Sequence, residues 1–185
     1  MGSLADHLPV RIADVVVRRL TYADAEPFAK GTADGSVRRF GHLPLADYTP
    51  EIVRDQIDGV IDQGLTDNSL AVLAIADAGS DDFLGSVVLF DVRDDRAEVG
   101  FWLSPQGRGR GAATRALRAA ETLAHAAGLT HLDARTSPAN AASVNILRKA
   151  GFHQVGDVTT GTAPSGEEVA LLMFEKRVAE PHPEA

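Results

Sequence analysis

Hydrophobic residues recur along this chain with two different spacings, and the change from one to the other predicts both strands and helices. Short runs of strand character lie at 15–17, 70–76, 83–90, 97–103, 129–136, 152–159 and 168–177. Apolar positions at helical spacing predict helices that begin near residues 21, 50, 109 and 140. The predicted order of elements is therefore roughly βααβββαβαββ.

Capping residues mark the ends of several predicted helices. Thr21, with Asp24 three positions later, forms a capping box that opens the first helix. Pro50 suits the first turn of the second helix, which we expect to end at Gly64. The clearest helix, 109–127, carries one continuous apolar stripe and should pack with that stripe against a sheet.

The order of strands and turns predicts the fold class. The turn-rich segment 77–82 separates two apolar runs and indicates an antiparallel hairpin. We expect a single α/β (α+β) domain over residues 10–178. Its sheet should be mixed, mostly antiparallel and of about seven strands, with helices on both faces. Residues 1–9 and 179–185 lack apolar periodicity and are expected to be flexible termini.

The composition of the 185-residue chain narrows the classes of function. Hydrophobic residues make up 44%, as in globular domains, and no apolar run reaches the roughly 20 residues of a membrane span. The formal charge of −8 disfavours non-specific nucleic-acid binding. The first residues show no secretory leader, so we expect a cytoplasmic protein without nucleic-acid or membrane partners.

The chain contains no Cys, which limits the chemistry it can perform. A thiol nucleophile, a disulfide framework, a Cys-ligated zinc ion and an iron–sulfur cluster are all excluded. The six His residues show no metal-binding spacing such as HExxH. We therefore expect no metal site.

A glycine-rich segment, Gln-Gly-Arg-Gly-Arg-Gly at 106–111, lies between a predicted strand and the longest predicted helix. Its three alternate glycines allow unusual backbone torsions and let a ligand approach the main chain closely. The free N–H groups and the positive dipole end of the helix suit a phosphate, and Arg108 and Arg110 add positive charge. A phosphate-binding loop is expected; the simpler alternative is a strand-to-helix turn with two solvated arginines.

The spacing of the glycines in this loop does not identify the phosphate-containing ligand. A P-loop is excluded because the chain contains no Gly-Lys pair. Gly107, Gly109 and Ala112 match the relaxed dinucleotide pattern GxGxx[GA]. Asp133, about 20 residues later, would then be the ribose-binding acid. We rank this interpretation second, because the predicted hairpins and the late position of the loop do not fit a doubly wound sheet.

Three motifs in a fixed order link the chain to a known family. Gln106, Gly109 and Gly111 match Q/R-x-x-G-x-G/A, the strand at 98–103 is similar to E-I-G-Y-W-L, and residues 140–152 are similar to N-x-x-S-x5-K-x-G-F. These motifs resemble those of the GCN5-related N-acetyltransferase (GNAT) superfamily. Within it they resemble those of the RimJ/RimL-like branch, which acetylates ribosomal-protein N-termini. The resemblance covers most of residues 15–177.

The resemblance implies a binding mode for acetyl-CoA. The cosubstrate would lie in a V-shaped split between two parallel central strands, here 97–103 and 129–136, with its pantetheine arm near Phe101, Trp102 and Leu103. Asn140 would be a further contact, and it is also a good N-cap for the next helix. The loop residues implied in cofactor binding are Gln106, Gly107, Arg108, Gly109, Arg110, Gly111 and Ala112.

Two side chains are implied in catalysis. Acetyl transfer to an amine needs proton removal from the amine and protonation of the departing sulfur. The resemblance implies Glu98 as the base, directly or through water, and Ser143 as the proton donor. Glu98 could instead face solvent or pair with an arginine. Ser143 could instead bond only to backbone.

The acceptor is less defined than the donor. A primary amine is expected, either a protein N-terminus or a small amine, and the negative charge of the chain favours a cationic acceptor. Two other functions stay open: a non-catalytic acyl-CoA-binding or sensing domain, and a dinucleotide-dependent oxidoreductase. The sequence leaves the oligomeric state open, a homodimer included.

Overall fold

The computed structural model describes residues 2–41, 43–163 and 166–178. The described strands are β1 (Val10–Ile12), β2 (Val15–Arg19), β3 (Ala71–Asp77), β4 (Phe83–Arg93), β5 (Arg96–Leu103), β6 (His131–Thr136), β7 (His153–Thr162) and β8 (Glu168–Arg177). The described helices are α1 (Ala25–Thr32), α2 (Gly35–Phe40), α3 (Pro50–Gln56), α4 (Asp62–Asp67), α5 (Ala112–Ala126) and α6 (Ala141–Lys149). A π-helical turn, Ile57–Ile61, joins α3 to α4.

All eight described strands form one sheet in the order β1-β2-β3-β4-β5-β6-β8-β7. Among them, neighbouring strands pair antiparallel except β5 and β6, which pair parallel. The prediction of a mixed, mostly antiparallel sheet is confirmed, with eight strands instead of about seven. The additional strand, β1, has only three residues, which is too short for its alternation to stand out in the sequence.

Helices cover both faces of this sheet, as predicted. Four successive residues of β3, from Leu73 to Ala76, are each no more than 1% exposed. Side chains alternate between the two faces of a strand, so both faces must be covered. The apolar stripe of α5 packs against β1, β2, β4 and β5. Phe28 of α1 meets the ring of Trp102 in β5 edge to face, with ring centroids 5.1 Å apart.

The two parallel strands separate soon after they begin to pair. Their pairing covers three positions, Arg96 with His131, Ala97 with Leu132, and Glu98 with Asp133. Beyond them β5 remains paired with β4 and β6 with β8, which leads the two strands apart. The V-shaped split in the centre of the sheet, implied by the family resemblance, is therefore present.

Two helix boundaries and one short helix differ from the sequence prediction. The long helix begins at Ala112 instead of residue 109, because two glycines before it adopt left-handed backbone torsions. The second predicted helix continues past Gly64, which packs against Leu70, and ends at Asn68, whose φ is 61°. Helix α2 was not predicted, since six residues are too few to show a helical period.

The N-terminal residues are more ordered than the sequence suggested. Leu4 lies in a short 3-10 turn, is 1% exposed and belongs to the hydrophobic core. Its backbone N–H donates to the side-chain oxygen of Asn68 at 2.8 Å. Segment 1–9, which was expected to be flexible, thus contributes Leu4 to the core, while the tail 179–185 lies outside the described residues. In the described part of the chain, no helix has the length and hydropathy needed to cross a membrane.

Candidate active site

A cavity of about 220 Å³ lies in the split between β5 and β6. One wall is residues 99–103 of β5, and the opposite wall is residues 134–136 of β6. The start of α6 and the short helix α2 close two further sides, and Arg108 reaches in from the loop before α5. The remaining lining residues are Ser36, Val37, Phe40, Gly41, Asn140, Ala142, Ser143, Ile146 and Leu147.

The β5 wall offers backbone hydrogen-bonding groups to a ligand. Beyond Glu98, the groups that β5 turns toward β6 have no partner in that strand. An extended amide-containing ligand could pair with them as a strand would. Phe101, Trp102 and Leu103, the residues implied in pantetheine binding, all line this wall. Trp102 also packs against Phe28 and Phe83, so it has a structural role as well.

The glycine-rich loop connects β5 to α5 beside this cavity. Gly109 and Gly111 each have φ of +75°, a left-handed conformation that glycine adopts without strain. Gly111 is the N-cap of α5 and brings no side chain, so it supplies no acceptor for the first-turn N–H groups of the helix. Those groups begin at Ala112, which is 1% exposed. The conformation therefore suits an anion at the helix terminus.

The third glycine of the loop has a different role. A Cβ on Gly107 would lie 2.5 Å from the carbonyl oxygen of Leu84, so this position needs glycine to pack against β4. Gly107 is buried, whereas Gln106 beside it is exposed. The three glycines therefore do not have one common role. Gly107 is needed for packing, whereas Gly109 and Gly111 allow the left-handed torsions of the loop.

Both arginines of the loop are held by aspartates from distant parts of the chain. Arg108 donates from Nη2 to Asp34 at 2.5 Å and to the carbonyl oxygen of Leu103 at 3.0 Å. Arg110 donates to Asp77 at 2.6 Å and is not among the residues that line the cavity. The pKa of Asp77 falls to about 2 because backbone N–H groups of the following turn and Arg110 stabilise its carboxylate. Both arginines therefore form ion pairs, although their side chains remain exposed.

Glu98 lies at the last paired position of β5 and β6 and is 9% exposed. Burial raises the pKa of its carboxyl above the ordinary value, and a hydrogen bond of 2.8 Å from Arg135 opposes that rise. Arg135 lines the cavity, whereas Glu98 is not among the lining residues. The ion pair considered as the structural alternative for Glu98 is therefore present, and it connects this carboxylate to the cavity wall.

Asn140 and Ser143 lie at the start of α6, on the edge of the cavity. The side-chain oxygen of Asn140 accepts from the backbone N–H of Ser143 at 3.2 Å, so the predicted N-cap is confirmed. The same bond fixes the position of Ser143 relative to the cavity. Asp133, the residue suggested as a ribose-binding acid, instead receives two 2.9 Å hydrogen bonds from Arg96. With one parallel strand pair among the described strands, the dinucleotide interpretation is wrong.

Two contributors to the cavity, helix α2 and Arg135, were not predicted from the sequence. Helix α2 supplies a complete wall, and the signal for it was Asp34, an N-cap residue whose side chain accepts from the N–H groups of Ser36 and Val37. Arg135 was missed because it sits inside an ordinary strand. Asp133 and Arg135 are two positions apart and therefore lie on the same face of β6, which could have indicated a row of charged residues beside Glu98.

Comparison with known proteins agrees with this architecture. The family model described as the acetyltransferase (GNAT) domain matches residues 14–153. No curated protein matches the chain by sequence. Mycobacterium smegmatis RimJ, solved in complex with CoA-disulfide, is 20% identical with a TM-score of 0.78 over 91% of this chain and 85% of that one.

Two other solved structures are similar in fold. The ribosomal-protein-S5-alanine acetyltransferase from Vibrio fischeri is 16% identical, with a TM-score of 0.77 over 95% of this chain and 100% of that one. Spermidine N-acetyltransferase from Vibrio cholerae, in complex with CoA and spermine, is 14% identical, with a TM-score of 0.74 over 90% and 97%. At these identities the structures establish the fold, and the family model covers about three quarters of the chain. The protein belongs to the GNAT family of acetyltransferases and is an acyltransferase.

Proposed function

We propose that this protein transfers an acetyl group from acetyl-CoA to a primary amine, which is either a protein N-terminus or a small amine. The observation that carries the proposal is the cavity between β5 and β6, whose β5 wall has backbone groups without a partner in β6 and whose rim holds the glycine-rich loop. We assign the activity to the domain 10–178, with part of its core contributed by Leu4. The proposal requires no metal.

The pantetheine arm of acetyl-CoA would pair with backbone groups near Phe101 and Leu103. Its amides match the strand-like spacing of donors and acceptors that β6 leaves free. The pyrophosphate would bind at the first turn of α5, directly after Gly109 and Gly111 with their left-handed torsions. Further contacts are assigned to Trp102, Gln106, Gly107, Arg108, Arg110, Ala112 and Asn140.

The reaction we propose is a direct transfer without a covalent enzyme intermediate. The nitrogen of the neutral amine attacks the thioester carbonyl carbon, and a C–N bond forms as the carbonyl oxygen becomes an oxyanion. The oxyanion then collapses, the C–S bond breaks, and the thiolate of CoA leaves. One proton leaves the amine and one is taken up by the sulfur. The absence of Cys from the chain is compatible with this route, because no thiol nucleophile is required.

Glu98 is our candidate base and Ser143 our candidate acid. Glu98 is not in the cavity lining, so the proton would pass from the amine through water to its carboxylate. Arg135, which joins Glu98 to the cavity wall, favours the ionised form that a base needs. Ser143 lies on the cavity edge and could donate its hydroxyl proton to the departing sulfur.

The acceptor class is supported by two kinds of related protein. One structural neighbour is named a ribosomal-protein-S5-alanine acetyltransferase and another a spermidine N-acetyltransferase. Both names describe amine acetylation, one on a protein and one on a polyamine. The net charge of −8 in this chain favours cationic acceptors of either kind through electrostatic steering.

Calorimetric titration with CoA, acetyl-CoA and NADH, followed by an acceptor screen, tests the proposal. We expect CoA and acetyl-CoA to bind and NADH not to bind. Thiol release from acetyl-CoA should then rise above its hydrolysis rate with at least one amine in a panel of N-terminal peptides and polyamines. Binding of CoA without transfer to any amine in the panel would favour the acyl-CoA-sensing alternative. Failure to bind CoA would contradict the proposal.

A further inference from the structure

Asp34 joins two walls of the cavity through a single carboxylate oxygen. Its Oδ1 accepts hydrogen bonds from the backbone N–H groups of Ser36 at 3.0 Å and Val37 at 3.3 Å. The same oxygen accepts from Nη2 of Arg108 at 2.5 Å, although the two residues are 74 positions apart in the chain. The N-cap of α2 is therefore also the ion-pair partner of an arginine in the glycine-rich loop.

Arg108 lies where a ligand bound in the cavity would contact it. Arg108 lines the cavity, and its guanidinium donates to the carbonyl oxygen of Leu103, at the end of the β5 wall. The side chain is 39% exposed, so an anion in the cleft could reach it. To bind Arg108, such an anion would have to displace the carboxylate of Asp34. The ion pair also lowers the pKa of this carboxyl group.

The other end of this contact is a helix that depends on its surroundings. Helix α2 has six residues and is too short to be stable by itself in water. Val37, whose N–H bonds to Asp34, is 4% exposed and lines both the main cavity and a second cavity of about 200 Å³ beside it. The carboxylate oxygen of Asp34 that pairs with Arg108 therefore also accepts a hydrogen bond from a residue that lines both cavities.

We propose that Asp34 is a positioning residue that holds Arg108 across the cleft and competes with the phosphate groups of the cosubstrate for its guanidinium. Binding of the cosubstrate would release Asp34 from Arg108 and leave it as the cap of α2 alone. This inference rests on the proposed function in one respect, namely that CoA is the anion that arrives. The competition itself concerns any phosphate group in the cleft.

Calorimetric titration of Asp34→Asn, Arg108→Gln and the double variant with CoA tests this inference. Asn is as good an N-cap as Asp, so Asp34→Asn retains the cap of α2 and removes the charge that holds Arg108. We expect Asp34→Asn to bind CoA about two- to fivefold more tightly, the range of a partly exposed ion pair. Arg108→Gln should bind more weakly, and Asp34→Asn should give no gain in that background.

Asp47→Asn is the matched control. Asp47 receives a 2.7 Å hydrogen bond from Arg38 of α2, so this variant removes the negative charge of another ion pair beside the same helix without touching Arg108. We expect it to bind CoA as the wild type does. Equal tightening in Asp47→Asn and Asp34→Asn would indicate a general charge effect and overturn the inference.

Tighter binding cannot result from loss of structure, so it would support the inference directly. A folded Asp34→Asn variant with unchanged or weaker CoA affinity would also overturn the inference. Titration with inorganic pyrophosphate separates the two proposals. If the wild type binds pyrophosphate but not CoA, the proposed function fails, and the inference is decided by the same variants with pyrophosphate. If the wild type binds neither, both proposals fail.

Discussion

Arg135 donates a hydrogen bond of 2.8 Å from Nε to Oε1 of Glu98 and joins β6 to β5 where their pairing ends. The pair therefore lies at the closed end of the split, with Arg135 on the cavity wall and Glu98 behind it. Burial raises the pKa of Glu98 above its ordinary value of 4.5, and Arg135 acts against that rise. Burial and Arg135 are thus the two largest influences on the pKa of the candidate base, and they oppose each other.

Arg135→Met should move the acid limb of the pH–rate profile to higher pH. Without the guanidinium, burial acts unopposed, so Glu98 stays protonated and inactive as a base up to a higher pH. Arg135→Lys, which keeps a positive charge, should move the limb less. The measurement is kcat/KM against pH for wild type and both variants. An acid limb that stays in place in Arg135→Met would exclude Glu98 as the titrating base.

Glu98→Gln should lower kcat at neutral pH by about 10²- to 10⁴-fold, the usual contribution of a general base. The affinity for CoA should stay close to that of the wild type, because Glu98 is not among the residues that line the cavity. Steady-state rates and CoA calorimetry on one preparation separate the two effects. Full activity of Glu98→Gln at every pH would assign this carboxylate a purely structural role.

Ser143→Ala should lower kcat and leave the fold unchanged. The backbone N–H of Ser143 bonds to Asn140, and that bond does not involve the serine hydroxyl. The loss therefore concerns protonation of the departing thiolate, and the defect should be smallest with acyl thioesters whose thiol is most acidic. Rates with a series of thioesters test this prediction. Turnover equal to the wild type would remove Ser143 from the mechanism.

Asn140→Ala should destabilise the protein by about 1 kcal/mol, because α6 loses its N-cap. Asn140→Asp keeps an acceptor for the N–H of Ser143 and should recover most of that loss. Urea unfolding of the three proteins gives the values. If Asn140→Asp restores stability but still binds CoA poorly, Asn140 contacts the cosubstrate as well as capping the helix. Equal stability of Asn140→Ala and wild type would contradict the capping role.

Much of the fold could be predicted from the chain because its signals are local. The hairpin of β3 and β4, the apolar stripe of α5 and the N-cap at Asn140 each depend on a few neighbouring residues, and each is confirmed. Helix α2 was missed because six residues give no period, and its capping residue Asp34 gave a weak signal by itself.

The contacts that organise the site could not be predicted in the same way. Glu98 and Arg135 are 37 positions apart, and Asp34 and Arg108 are 74 apart, so no local spacing links either pair. Their proximity follows from the strand order and from where β5 and β6 separate, which are properties of the whole sheet. The family motifs located the cleft, and the tertiary structure was needed to find the ion pairs around it.

Amide hydrogen exchange with and without CoA tests most directly the claim that the cosubstrate binds in the split between β5 and β6. The account predicts that CoA slows exchange in residues 99–103 of β5 and in residues 109–114, at the start of α5. Exchange in β1 and β2, which β3 and β4 separate from β5 in the sheet and which do not line the cavity, should stay unchanged. Binding of CoA with no slowing in these two segments, or with slowing elsewhere alone, would contradict the account.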